Sequence, residues 1–329
     1  MRFGLKRVFS AAFITTMALV NCGAAQEWPS RQINMVVPLG AGGGADVAGR
    51  ILAASLGSAL GQTVIVENVT GAGGMIGSAR VANAPPDGYQ VLLGTVGTHA
   101  QNQTLYKTPL YDSRKDFEPV ALIVEVPIVL VATNGLPVTN LQEFIAYVKA
   151  NQAKMQFGSP GAGSSNHLAC LLLNAAMGVE VTHIPYRGAS ELYQDVISGR
   201  VDYFCPTSTA ALPIVEESNK ARAVSILGRS RLPVMPSVKS AEEQGLHDFE
   251  AGTWFGLFLP KGTPAPIVKK LNEAVVSVMA TPEVQKKLET IGAVVVARER
   301  MTPEYLRTYV ATEVEKWKGP IQRTGITIN

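Results

Sequence analysis

The sequence predicts an α/β protein of two domains, and three observations carry that prediction. Short apolar runs of strand length alternate with stretches of helical periodicity along most of the chain. One such run, Ile33 to Val37, leads through a glycine loop, Gly40-Ala41-Gly42-Gly43-Gly44, into a helix start. The same order returns from Met155 to Met177 through Ser159-Pro160-Gly161-Ala162-Gly163-Ser164-Ser165-Asn166-His167. Two such loops, in two halves of a chain of 329 residues, suggest a ligand gripped from both sides.

The first 25 residues stand outside this pattern. Arg2, Lys6 and Arg7 precede an apolar stretch from Val8 to Val20, and Gly23-Ala24-Ala25 offers a small-residue cleavage site. This reads as a secretory signal cut after Ala25. Leu19-Val20-Asn21-Cys22 resembles a lipobox only loosely, so lipid anchoring at Cys22 is the lesser alternative. The formal charge is +3, all of it in the signal, which leaves the mature chain neutral. Neutrality gives no electrostatic argument for nucleic acid or an anionic membrane. No later segment has the length and apolarity of a membrane span.

The elements follow in order. Ile33, Met35, Val36 and Val37 suit a strand covered on both faces, and Pro38 ends it. The glycines leave N–H groups uncovered, Asp46 is placed to cap the next helix, and Val47, Ile51, Leu52 and Leu56 give that helix an apolar face. Thr63 to Glu67 is a second strand. A second glycine loop, Gly71 to Gly77, opens a helix over Ile76 to Ala82. Pro85-Pro86-Asp87-Gly88 is a turn, Tyr89 to Gly94 a third strand, and Thr95 to His99 the loop at its end. The alternation argues a parallel sheet whose loops share its carboxyl edge, where such folds bind ligands.

Glu118–Val124 and Ile128–Ala132 are strands, and Pro127 between them marks a change of direction. Thr139-Asn140 supplies the cap of a helix from Leu141 to Ala150. Met155–Gly158 is a strand, and Leu168, Leu171, Leu172 and Met177 mark the helix after the serine loop. Strands follow at Val181, Val201–Phe204, Ala221–Ile226 and Thr253–Leu259. The helices there run over Ala189–Gly199, from the turn Lys261 to Pro266 through Met279, and over Pro282–Ile291 and Pro303–Lys318.

A glycine loop at a helix start presents N–H donors and a positive dipole end to an anion. The first loop is therefore read as holding one end of a small carboxylate. Gly40 to Ala45 also matches a dinucleotide fingerprint, with Glu67 ending the second strand. Asp46 beside a pyrophosphate and export from the cell argue against a dehydrogenase. Ser159, Ser164 and Ser165 lie near His167, but no G-x-S-x-G elbow occurs; helix capping and carboxylate contact are compatible roles for them. His99, His167, His183 and His247 show no metal-ligand spacing, so no metal or cofactor is expected. His99 and His167 sit at loop–helix junctions facing a possible cleft; His183 alternates within a strand and reads as structural. Trp254 and Phe255 read as core or hinge packing. Cys170 and Cys205 are left open, with two separate buried thiols the simpler expectation.

Taken together, the motifs resemble the tripartite tricarboxylate transporter substrate-binding proteins, the Bug or TctC-like family. Those motifs are Val37 to Asp46 with Arg50, Val66-Glu67-Asn68 with Gly71-Ala72-Gly73-Gly74, Pro86 to Tyr89, and Gly94 to His99. Lys115-Asp116-Phe117, His183 to Gly188, Gly199 to Asp202, Trp254 to Leu257 and Pro260 to Pro264 complete the set. The resemblance implies an α/β, two-lobed, type II Venus-flytrap periplasmic binding protein with two chain crossovers. Its lobes would be 26–124 with 229–329, and 125–228. It implies that a non-enzymatic monomer captures a carboxylate and delivers it to a two-subunit membrane permease; a sensor feeding a kinase is the alternative. The ligand would meet Leu39, Gly40, Ala41, Gly42, Gly43 and Asp46 on one side and Ser159, Gly163, Ser164 and Ser165 on the other. Thr95, Thr98, His99, Tyr186 and Thr207 would add contacts. Leu39, Gly40-Ala41, Val96 and Cys205-Pro206-Thr207-Ser208 depart from the family pattern, so no relative's ligand transfers directly.

Overall fold

The computed structural model describes residues 27–218 and 220–329; the expected signal, Cys22 and the cleavage site lie outside them. The chain opens with β1 (Ile33–Val37), α1 (Gly44–Leu60), β2 (Val64–Asn68), α2 (Met75–Ala82) and β3 (Gln90–Thr95). A π turn over Gly97–Gln101 then leads into a short α3 (Asn102–Leu105) where a loop was expected. β4 (Phe117–Pro127) and β5 (Val129–Thr133) are separated by Ile128 alone. Next come α4 (Leu141–Asn151), β6 (Gln156–Ser159), α5 (Ser165–Met177), β7 (Thr182–Pro185), α6 (Ala189–Ile197) and β8 (Tyr203–Phe204). The chain ends with α7 (Ser208–Ser218), β9 (Ala221–Ile226), β10 (Gly252–Pro260), α8 (Ala265–Met279), α9 (Pro282–Thr290), β11 (Val294–Val295) and α10 (Pro303–Arg323).

Two sheets result, ordered β11-β4-β10-β3-β1-β2 and β7-β6-β8-β5-β9. Each combines a parallel trio with antiparallel strands. β1 is flanked in parallel by β2 and β3, and β6 by β7 and β8. β10 runs antiparallel to both β3 and β4, and β5 to β8 and β9. The parallel sheet expected of the first three strands is present, and antiparallel strands added to it and to the second trio make both sheets mixed. The antiparallel strands are those beside the crossings, where the chain leaves one sheet for the other. It leaves between Pro127 and Val129 and returns between Ile226 and Gly252.

Periodicity places the cores as anticipated. Met35, Val36, Leu92 and Leu257 fill the first, with Leu271, Val275 and Trp317 from the helices that cover it. Phe144, Phe157, Leu173 and Tyr203 fill one face of the second sheet, and Val131, Leu192 and Phe204 the other. Each fully buried Leu, Val or Phe contributes about 1.5–3 kcal/mol relative to an exposed one. The segment 229–251, assigned to the first lobe by the sequence reading, packs on the second instead. Leu232 and Met235 join one of its faces and Ala241 and Ala251 the other, and Ser240 bridges to Ile226. Cys170 and Cys205 form a disulfide, correcting the expectation of separate thiols. The parallel β6–β8 pair brings the end of β8 under α5, which puts the two Cα atoms 5.6 Å apart.

Candidate functional site: a cleft of helix N-termini

The first loop offers bare backbone. Gly42 takes a left-handed φ of +77°, and Gly43 caps α1 with no side-chain hydrogen bond. The loop is held from behind by a charged brace. The Asp46 carboxylate accepts from Gly42 N–H at 3.0 Å and from Asn68 Nδ2 at 3.0 Å, and pairs with Arg50 at 2.9 Å. Asn68 also donates to Leu39 O at 2.9 Å. Burial pushes the Asp46 carboxyl up, but its hydrogen bonds from Arg50, Gly42 and Asn68 outweigh that and hold it below the ordinary carboxylate range. Asp46 therefore sits inside the first turn of α1 as a brace, while Gly43 occupies the cap position expected of it.

The second loop is held by neutral side chains. Ser164 caps α5 by accepting from His167 N–H at 3.2 Å, and donates to Gly161 O at 2.7 Å. Ser159 Oγ donates to Gly161 O at 3.0 Å, which leaves His183 Nε2, 2.7 Å away, as a donor to it. His167 Nδ1 accepts from Gly163 N–H at 3.2 Å. Both imidazoles thereby carry their proton on Nε2. Their rings stack 3.9 Å apart beside Phe157. Burial, and secondarily His183, pushes the His167 pKa down to about 3; burial brings His183 down to about 4. A stacked pair that stayed charged would repel itself, so neutrality is what this packing requires.

Between the loops lies a cavity of about 30 Å³. Leu39, Gly40, Gly43, Gly44, Ala45 and Phe255 line it from the first lobe. Pro160, Ser165, Asn166, Ala189, Leu192, Tyr193, Phe204, Pro206, Thr207 and Ala210 line it from the second. The first residues of α1, α5 and α6 are among these, with Thr207 just before α7, so four helix N-termini converge on one point. None of the lining side chains is charged. α6, like α1, is capped by a glycine, Gly188, without a side-chain hydrogen bond. Asn166 donates to Cys205 O at 2.7 Å, and the disulfide fastens α5 to the turn that opens α7.

The lobes are closed on each other, and glycine is what lets them meet. A Cβ on Gly40 would lie 2.9 Å from Gly188 Cα, and one on Gly44 would run into the hydroxyls of Thr207 and Thr209. Tyr106 Oη donates across the seam to Ala162 O at 3.3 Å, and Ser208 Oγ to Gly292 O at 2.7 Å.

The expected site residues separate into three groups. Leu39, Gly40, Gly43, Ser165 and Thr207 line the cavity, and Tyr186 lines its mouth with Leu39 and Gly40. Ala41 and Gly42 lie on the exposed side of their loop; Asp46, Ser159, Gly163 and Ser164 shape the loops from behind or within. Thr95 and Thr98 are buried and bond each other, Thr95 N–H to Thr98 Oγ1 at 2.9 Å. His99 is not at the cleft: it is enclosed in the first core, stacked 3.8 Å from Phe258, and burial pushes it down to about 3. The π turn winds it inward, where an open loop was expected. Sequence reasoning missed α7 as a helix, Asn166, Tyr193 and Ala189, and took Phe255 for packing alone. Thr207-Ser208-Thr209 was a usable capping signal for α7, masked by Pro206 and by Pro213 inside the helix. Glu67, which a dinucleotide ribose would need, is occupied by Arg80 at 2.5 and 2.7 Å.

Two mixed α/β lobes joined by two crossings, with an anion-suited cavity between them, define a solute-binding receptor of the periplasmic type. The chain belongs to the tripartite tricarboxylate transporter family receptors, whose model matches residues 48–326. It is 33% identical to BugT of Bordetella pertussis, over 95% of each chain. Among solved structures it resembles the periplasmic binding protein BugD, with a TM-score of 0.87 and 37% identity over 91% of this chain and 99% of that one. It also resembles MatC from Rhodopseudomonas palustris with bound malate, with a TM-score of 0.86 and 38% identity over 89% of this chain and all of that one.

Proposed function

We propose that this receptor captures a small organic carboxylate between its lobes and hands it to a two-subunit membrane permease. The observation that carries the reading is the convergence of four helix N-termini on a cavity without a charged side chain. A carboxylate there meets N–H donors and positive dipole ends from both lobes, and so favours the closed form over the open one. The malate bound by MatC supports a carboxylate as the ligand class. The two crossings form the hinge about which the lobes open and close. Capture and release need no catalytic group, so the protein binds without turnover. The reading includes export by a leader cut after Ala25 and action as a periplasmic monomer.

A thermal-shift screen against mono-, di- and tricarboxylates, amino acids, aromatic acids and NAD tests this. A ligand at about 100 times its dissociation constant adds roughly 2.7 kcal/mol, or about 4 °C for a chain of this size. Carboxylates are expected to give that shift. A response to NAD alone, or to no carboxylate, would sink the proposal.

A further inference from the structure

Along the seam, one turn of the second lobe is seated between three parts of the first. The turn is Ala162-Gly163, just before the cap of α5. Gly73 abuts it so closely that a Cβ there would lie 2.5 Å from Gly163 C and 2.8 Å from Ala162 O. Gly97, in the π turn, closes in as well: its Cβ would lie 3.2 Å from Ser165 N and 3.7 Å from Gly163 O. Tyr106 covers the third side. A Cβ on Gly163 would lie 2.7 Å from Tyr106 Oη and 2.9 Å from its Cε2, and Oη donates to Ala162 O at 3.3 Å.

Tyr106 is in turn held by a strap, residues 326–329. Lys107 N–H donates to Ile328 O at 3.0 Å, and Ile328 N–H donates to Leu105 O at 2.9 Å. Tyr106 and Ile328 thus pair as a parallel bridge, while Ile326 and Ile328 pack against the first core. Asn102, at the start of α3, donates from Nδ2 to Gly73 O at 3.2 Å. One short segment of the first lobe therefore fixes both Gly73 and Tyr106. Burial pushes the Tyr106 hydroxyl pKa up, which keeps it a neutral donor. Tyr106, Gly73, Ala162 and Ile328 are all absent from the lining of the inner cavity. Their contacts therefore act on the position of the lobes and do not touch a ligand held there.

We infer that Tyr106 is the latch of the closed receptor, a positioning residue backed by the 326–329 strap, and that it sets how long a captured ligand is retained. The inference rests on the proposed closure of the lobes over a carboxylate. Capture takes place on the open form, before Tyr106 reaches Ala162, so the latch leaves association unchanged. Release requires the lobes to part, and the Tyr106–Ala162 bond must break first.

The test uses the full mature chain and a panel of succinate, L-malate, citrate, adipate, glutamate and benzoate. Calorimetry gives affinity, stopped-flow mixing gives the two rates, and small-angle X-ray scattering reads compaction. Tyr106→Phe keeps the ring against Gly163 and removes only the donor. For an acid that binds the wild type, it should weaken affinity about 3- to 10-fold, all of it in faster dissociation. The association rate should stay within about twofold and the melting temperature of the ligand-free protein should not move. Deleting residues 326–329 should speed dissociation at least as much. Adding Tyr106→Phe to that deletion should then cost little more, because both changes disable one latch. An unchanged dissociation rate in Tyr106→Phe, with the acid still bound, would overturn the latch and leave the receptor reading standing. So would a loss confined to association, or a lower melting temperature in the ligand-free variant, which would assign Tyr106 to the fold of the first lobe. Binding of no acid in the panel, with no compaction on adding any of them, would overturn both.

Discussion

The loop after β1 is braced from behind by charge, whereas the loop after β6 is held from within by neutral hydrogen bonds. In the first, Asp46, Arg50 and Asn68 fix a run of glycines whose own side chains contribute nothing. In the second, Ser159, Ser164, His167 and His183 fix the chain, and a disulfide fastens α5 behind it. Both arrangements leave helix N-termini facing one cavity. The difference shows that an anion site needs oriented N–H groups, and that the means of orienting them is free to vary. It also gives each side its own weak point.

The largest effect should fall on the second lobe alone. Replacing Cys170 and Cys205 together by Ser reopens a loop spanning 35 residues, at a cost of about 3–4 kcal/mol. Urea unfolding should then show the second lobe melting before the first. An unchanged midpoint would show that the disulfide is not what holds α5 to α7.

Gly44→Val strikes the first loop where the lobes meet. The added side chain has no room beside Thr207 and Thr209, so closure fails. Carboxylate affinity should fall at least about 100-fold, or roughly 2.7 kcal/mol, with little change in melting temperature. Wild-type affinity in this variant would remove the glycine seam from the mechanism.

Acid should tell the two loops apart. A histidine whose folded pKa lies below its unfolded value of about 6.5 binds more protons when unfolded, so stability is full above that pH and falls below it. His167 and His183 should each cost up to about 1.4 kcal/mol per pH unit from about 6.5 down to their folded values near 3 and 4. His99 in the first core acts in the same window. Asp46 responds only later: its lowered pKa means its contribution is present above the ordinary carboxylate range and is lost as pH falls through the folded value. His183→Gln should flatten the stability profile between pH 6.5 and 4.5, measured by urea midpoints, by about one histidine's share. An unaltered slope would contradict the neutral stack.

The smallest effect is expected from Ser164→Ala, which removes the α5 cap. A loss of about 1 kcal/mol by the same urea assay is expected. Gly43, already a cap without a side chain, offers no equivalent loss on the other side.

Much of this was legible in the residues, because local signals act over a few positions. The strand over Ile33–Val37, the Asn140 and Ser164 caps, the proline-opened helices from Pro282 and Pro303 and the two anion-suited loops follow from periodicity and capping chemistry. The motifs that carry the family resemblance are equally local. Tertiary structure decided what depends on distant partners. It turned β4 and β10 antiparallel where the chain crosses between lobes, and carried 229–251 onto the second core. It paired Cys170 with Cys205, stacked His167 on His183 and buried His99 against Phe258. It set Gly44 against Thr207 and Thr209. Sequence spacing constrains contacts within a turn or a strand; which surfaces meet across 35 residues or across a cleft is set by the packing of whole elements.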